Sequence, residues 1–502
     1  MMKKFKKIVP ILLIVAIVTS LSGILISCGK NKKDNLDELS TGFSNYYMDI
    51  EYDNQTKSVN SVCNIDFCNT SESMLKEVKL HLYIASFTKN AKSKVVNDLN
   101  KNKAFYNGES YASLNIQRVK LNNQDINPNY ENEDNDIMVI NLNSSLFPSE
   151  RVNIEIEYSF TLPNCNHRFG YGENTINLGN FYPIACVYDN GWKTESYCPT
   201  GDPFNSEMAN YYVNFKADKS LKVASSGYIK SQTSQDNENY YNIEAKCVRD
   251  FAMVLSDKFN VVEKEINGIC CKYFYIIDKT PEKSLKCITD SIKTFSNLFY
   301  EYPYMSYNVA ETDFCYGGME YPNLSLISNQ VENYDDYLNV IVHETAHQWW
   351  YNLVGNDEYN NPWLDEAITE YSCILFYDYN QNDYNFNHKD MINSAHSNFV
   401  FYQNVYTKVL GNLNTSMRRP INQYNTEPEY TFTVYVKGVL MYDSLYNLIG
   451  KDAFLKALKK YAQDNAYKIS TEANLIACFE NVTNTSLENF FDCWLNGKVI
   501  IN

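Results

Sequence analysis

His343-Glu344-Thr345-Ala346-His347, followed after eighteen residues by Glu366 in Trp363-Leu364-Asp365-Glu366, is the stretch on which the reading of this chain turns. Residues four apart on a helix project from one face, one turn apart. Two neutral imidazoles so placed can grip one Zn²⁺, and the intervening Glu344 can polarise a metal-bound water. Glu366 stands in a second helix-like segment, residues 362–371, and offers the third ligand. A set of two histidines and one glutamate leaves a fourth position open for water or substrate, the arrangement of a catalytic zinc. The bland alternative is a pair of ordinary core or surface histidines. With only six histidines in 502 residues that coincidence is rare, and Glu366 at a suitable interval makes it rarer. His343, His347 and Glu366 are therefore the expected ligands of one Zn²⁺ per chain, with Glu344 as general base.

Outward from this stretch, the two halves of the chain carry different periodicities. Residues 283–299, 337–353, 362–376, 435–448, 453–462 and 487–495 show helical spacing, with a few strands expected before the first histidine. Residues 151–161 alternate apolar and polar side chains, and residues 73–85 end in the same alternation. Period-two alternation predicts half-buried strands. The Asn-rich residues 122–136 read as a loop. The expected fold class is α+β and multidomain: an antiparallel β domain over residues 43–258, then a mainly α catalytic domain over residues 259–502. A chain of this length exceeds what one core usually serves.

The net charge of −16 argues against nucleic acid as a partner. The start of the chain is basic, Met1-Met2-Lys3-Lys4-Phe5-Lys6-Lys7, and is followed by a mostly apolar run over residues 8–26 and then Ser27-Cys28. That order describes a secretory signal, and Leu25-Ile26-Ser27-Cys28 resembles a bacterial lipobox. Residues 1–27 are expected to be a lipoprotein-type signal peptide, Cys28 the lipid attachment to the membrane, and residues 28–42 a polar tether. A single N-terminal transmembrane anchor is the alternative. Either reading places the protein at the bacterial cell surface, outside the cytoplasmic membrane. The fourteen cysteines are irregularly spaced, with no CxxC pair. Cys63 and Cys68 could bridge across a turn, but free buried thiols are the expectation for most.

Gly317-Gly318-Met319-Glu320 precedes the histidine segment, and Tyr435-Val436-Lys437-Gly438 follows it. Two glycines allow close backbone approach to a ligand, and a carboxylate beside them can hold an ammonium group. These motifs, in this order and with Gly201-Asp202-Pro203-Phe204 and the terminal Phe490-Phe491-Asp492-Cys493-Trp494-Leu495, resemble the aminopeptidase N family of gluzincin zinc metallopeptidases over about residue 43 to the end. The resemblance implies a saddle-like N-terminal β domain and a thermolysin-like catalytic domain. It implies removal of N-terminal residues from peptide substrates. Glu320 would then hold the substrate's α-amine, Gly317, Gly318 and Met319 would line its backbone, and Tyr435 would donate to the oxyanion. Tyr430 would shape that region, and Glu370, one turn beyond Glu366, would orient a ligand.

Three features depart from the family pattern. Tyr321 stands where relatives have Asn. The N-domain motif that gives the amine a second anchor is not legible. The large helical C-terminal domain of many relatives is not expected here. A thermolysin-like endopeptidase and a catalytically silent peptide-binding lipoprotein remain the alternatives.

Overall fold

A computed structural model describes residues 36–411 and 413–501. The signal segment, Cys28 and the first part of the tether lie outside the described residues. The rest of the tether is not free chain. Residues 36–40 are helical, Asn210 Nδ2 donates to Ser40 O at 2.8 Å, and Lys246 pairs with Asp37 at 2.8 Å. Polar composition there reflects a solvated helix face, not a linker.

The N-terminal part is built on an eight-stranded sheet. Its middle is Ser44–Asp53, flanked by Ser58–Cys68 and Ala209–Asp218. Tyr46, Met48, Ile50 and Tyr52 face the core while alternate residues face solvent. Arg151–Thr161 repeats the pattern, burying Val152, Ile154, Ile156, Tyr158 and Phe160. The sheet is not wholly antiparallel: Ser44–Asp53 and Ala209–Asp218 pair in parallel. Parallel partners need a long crossover, so no local signal announces them. Two four-stranded sheets complete this part. The Asn-rich residues 122–136 are not simply a loop. Gln124–Ile126 and Asn129–Glu131 are short, exposed strands at the edges of two different sheets. These two strands leave nearly every side chain outside the core, so their sequence carries no alternation.

From residue 260 the chain enters a five-stranded mixed sheet, ordered Asn260–Ile266, Ile269–Tyr275, Ser306–Thr312, Leu324–Ser328 and Gly318–Met319. Helices pack against it: Pro281–Leu298, Tyr334–Ala346 and Trp363–Tyr379. The helix carrying the histidines starts three residues earlier than its apolar spacing predicts, because Asn333 caps it by accepting from the backbone of Asp335 and Asp336. It also ends earlier, in turns that bring Trp349 and Trp350 into the core. Helices His388–Leu410 and Glu472–Thr483 were not anticipated. The first keeps several apolar side chains in solvent, Phe401 and Val409 among them.

The two parts meet through buried polar groups. Arg249 is 2% exposed and donates to Tyr351 O at 2.7 Å and Ser206 O at 2.9 Å. Asp313 accepts from Asn174 Nδ2 at 2.8 Å and Thr175 N at 3.1 Å. All thirteen described cysteines are free, eleven of them buried. Cys63 and Cys68 lie on the same strand, so no turn separates them.

Candidate active site

Four elements converge on one cleft of about 500 Å³ between the two parts. The histidine helix Tyr334–Ala346 and its C-terminal turn carry His343, Glu344 and His347. The helix Trp363–Tyr379 carries Glu366 and Glu370. Glu366 sits in its first turn, where the helix dipole favours a carboxylate.

His343 Nε2 and His347 Nε2 are 3.1 Å apart. Glu366 Oε2 stands 3.4 Å from the first and 3.3 Å from the second. A tetrahedral zinc with bonds of about 2.0–2.1 Å holds its donors about 3.3 Å apart. The donor set thus fits the metal in both chemistry and spacing. Glu366 Oε2 is buried and has no hydrogen-bond partner. Burial alone would raise the Glu366 carboxyl, yet His347 and His343 hold it well below the usual carboxylate range. The remaining imidazole nitrogens are turned to other groups. His347 Nδ1 lies 2.8 Å from Trp350 O and 3.3 Å from Thr369 Oγ1. His343 Nδ1 lies 3.1 Å from Glu370 Oε1. The Trp350 contact orients the His347 ring with Nε2 facing Glu366, whereas Glu370 stands beside His343 Nδ1 without a hydrogen bond to it.

Glu344 is 5% exposed, and burial pushes its carboxyl up to about 7. Its Oε2 is unpartnered. Its other oxygen would lie 2.4 Å from a Cβ placed on Gly318. Position 318 therefore has to be glycine for the carboxylate to stand where it does. Gly318–Met319 is the outermost strand of its sheet, bonded on one side only, to Leu326 and Ile327. Glu320 follows it, 4% exposed, with an unpartnered Oε1; burial and Asp202 push its carboxyl well up. Gly317, Gly318 and Glu320 line the cleft. The Met319 side chain does not, because strand alternation turns it into the core, where it is 1% exposed.

Tyr435 lies in a π-helical turn, Phe432–Val436, ahead of helix Lys437–Ile449. Such turns recur at functional sites. Here the Tyr435 hydroxyl reaches the cleft and donates to Glu366 Oε1. Tyr430 packs edge-on against it, centroids 5.6 Å apart, with its hydroxyl unpartnered. Gly201 gives Tyr430 its space: an added Cβ would come within 2.6 Å of that hydroxyl.

Tyr321 does not face the cleft. It is fully buried and donates to Asn180 Oδ1 at 2.7 Å. Its ring fills the volume left open by Gly179. Sequence reasoning missed the opposite wall, contributed by the N-terminal part. Arg168 donates to Asp202 Oδ1 at 2.6 Å, and both line the cleft with Lys103 and Glu427. Asp202 stood in a quoted motif, but nothing near Arg168 or Lys103 marks them as cleft residues.

Comparison with known proteins agrees with this geometry. Residues 282–494 match the profile of the peptidase family M1 domain. The chain is 24% identical over 311 residues to leucine aminopeptidase 2 of Lodderomyces elongisporus, covering 59% of this chain and 46% of that protein. It is 30% identical over 193 residues to aminopeptidase N of Bos taurus, covering 36% of this chain and 19% of that protein. The match thus spans half or less of these curated relatives. In fold it resembles the M1 zinc metallopeptidase of Deinococcus radiodurans, with TM-score 0.63 and 14% identity, over 91% of this chain and 93% of that one. A mutant of that protein bound to a Tyr-Ser-Ala substrate gives TM-score 0.63. Many strands in the N-terminal part and helices in the C-terminal part are common ground. Residues 282–494 thus match the peptidase family M1 domain, and the fold is that of M1 zinc metallopeptidases.

Proposed function

We propose that this protein is a zinc-dependent aminopeptidase that removes N-terminal residues from extracellular peptides. The observation that carries the reading is the juxtaposition of three elements. Three zinc-competent donors stand 3.1–3.4 Å apart. A buried Glu344 stands beside them, against Gly318. An open strand edge there ends at the buried Glu320. The relatives' names and the substrate-bound Deinococcus structure support it.

His343, His347 and Glu366 would hold the zinc. A zinc ion there supplies Lewis-acid polarisation of a water and of the scissile carbonyl. The chain's own groups do the rest. A peptide laid along Gly317–Met319 extends the sheet by one strand, using backbone hydrogen bonds that any sequence can make. Glu320 takes the α-ammonium and so fixes which peptide bond faces Glu344. Glu344 accepts a proton from the attacking water and returns it to the leaving amine. Its carboxyl, raised by burial to about 7, suits both roles near neutral pH. The Tyr435 hydroxyl, already in the cleft, is placed to donate to the developing oxyanion.

The saddle-like N-terminal domain, a single zinc per chain and attachment through Cys28 belong to the same reading. Attachment rests on the lipobox-like Leu25-Ile26-Ser27-Cys28. Among the described residues no helix is long and apolar enough to cross a membrane. Labelling of the expressed chain with a radioactive fatty acid, lost in Cys28→Ala, tests the anchor.

The activity test uses amino-acid amidomethylcoumarins and their N-acetylated counterparts, with chelator and with zinc restored. Chelator-sensitive release from free-amine substrates alone is expected. Equal cleavage of blocked substrates would make the protein an endopeptidase. Inertness toward both, and toward a peptide library, would leave only peptide binding.

A further inference from the structure

The charges lining the cleft are lopsided. Asp202, Glu320, Glu344, Glu366, Glu370 and Glu427 face two cationic side chains that are not metal-site histidines, Arg168 and Lys103. Arg168 is engaged with Asp202, and Glu427 accepts from Asn97 Nδ2 at 2.9 Å. Among the described residues, Lys103 has no carboxylate within ion-pair distance.

Its place along the cleft is fixed by backbone bonds. Lys103 and Ala104 close a short helical turn, Lys101–Ala104. Asn166 N donates to Ala104 O at 2.9 Å, and Cys315 N donates to Asn166 O at 3.0 Å. Ala104, Cys165 and Cys315 form one small buried cluster. Lys103 therefore stands beside Cys315. Glu320 closes the other end of the same open edge. A peptide whose ammonium sits at Glu320 runs back past Gly318, Gly317 and Tyr316, and so approaches Lys103 with its C-terminal end leading. Five residue steps separate positions 320 and 315; residues 315–317 bend ahead of the strand, so the span is at most about 16 Å.

We infer that Lys103 determines specificity by pairing with the C-terminal carboxylate of short peptides, of about three to five residues. This rests on the aminopeptidase reading above. The cleft is then a match for the dipole of a free oligopeptide. Its acidic end receives the ammonium and its lone unpaired cation receives the carboxylate. Longer peptides carry their carboxylate past Lys103 and lose the contact, without being excluded. Because Lys103 is solvent-exposed, the pairing is worth no more than a surface ion pair, about fivefold in kcat/KM.

The test uses the zinc-loaded full chain and alanine-based peptides of two to eight residues, each as free acid and as C-terminal amide. For the wild type, the ratio of kcat/KM for acid over amide should reach about fivefold at one length between three and five and fall to one at eight. The preference should lie in KM. Lys103→Met should bring the ratio to one at every length, and Lys103→Arg should restore it. Lys101→Met makes the same charge change on a residue paired with Glu109, and should leave the ratio intact. A ratio unchanged in Lys103→Met, or lost equally in Lys101→Met, overturns the assignment while leaving the aminopeptidase reading standing. Inactivity of the wild type on both acid and amide series overturns both.

Discussion

One wall of the cleft is drawn from residues 343–370; the other is drawn from residues 103, 168 and 202 of the N-terminal part, together with Glu427, which Asn97 holds. On the aminopeptidase reading the first wall does the chemistry, and its geometry is nearly all local. Helical spacing puts His343, Glu344 and His347 together, and one further helix brings Glu366 and Glu370. The second wall is the one we assign to recognition, and it faces the first only where the two parts meet. Chemistry at a metal needs donors held within tenths of an ångström, which adjacent turns of helix provide. Recognition tolerates looser assembly, so its residues can come from any loop that arrives.

If that division holds, a change on the first wall should abolish turnover without loosening the fold. Glu344→Gln should lower kcat by about 10³-fold or more, with zinc content and thermal midpoint unchanged. A loss of zinc or of stability would show that Glu344 is part of the metal scaffold, and would blur the contrast.

The second wall should respond in the opposite way. Arg168 is 4% exposed and its partner Asp202 is mostly covered. Arg168→Met should cost about 3 kcal/mol in denaturant unfolding, because it strands a buried carboxylate. The double variant with Asp202→Asn should recover much of that. Zinc affinity should not change.

Gly318 sharpens the boundary between the walls, since it belongs to the substrate strand yet packs on Glu344. Gly318→Ala should reduce kcat about tenfold by displacing the carboxylate, with bound zinc retained. An unaltered kcat would mean that Glu344 can shift without penalty.

The smallest effect lies far from both walls. His388 is held by Asp378 at 2.9 Å and Asp443 at 2.9 Å, which push its imidazole up to about 9. A raised imidazole stabilises the fold fully below its unfolded value near 6.5, and that contribution is lost as pH rises through 9. The wild type should therefore lose about 1 kcal/mol, after solvent screening, between pH 6.5 and 9.5. His388→Gln should show no such slope. Neither change should move activity at pH 7.

What could be read in the sequence follows the same division. Arg151–Thr161 was legible because one face is buried and one is not. The zinc donors were legible because their spacing is that of a helix. Helix His388–Leu410 was not, because Phe401, Val405 and Val409 remain in solvent and blur its apolar face. The parallel pairing of Ser44 with Ala209 joins residues too far apart for any local pattern. In the sequence Tyr321 stands out only as a departure from the family Asn beside Glu320. Only the packed fold shows its ring turned toward Gly179 and Asn180, away from the cleft. Lys103 and Arg168 gave no signal, since a lone cation acquires meaning only from what it faces.

The open strand Gly318–Met319 is two residues long and lies in the cleft between the N-terminal and C-terminal parts. Exposed edges invite pairing with other chains, and proteins usually blunt them. Here recess and brevity take the place of blunting. A folded protein, its own strands already paired and its terminus tucked away, cannot reach so short an edge at the bottom of a cleft. A loose chain end can. On the proposed function, the edge that takes the peptide would thus also act as a sieve, sparing intact folded proteins and the protein's own copies while admitting loose chain ends.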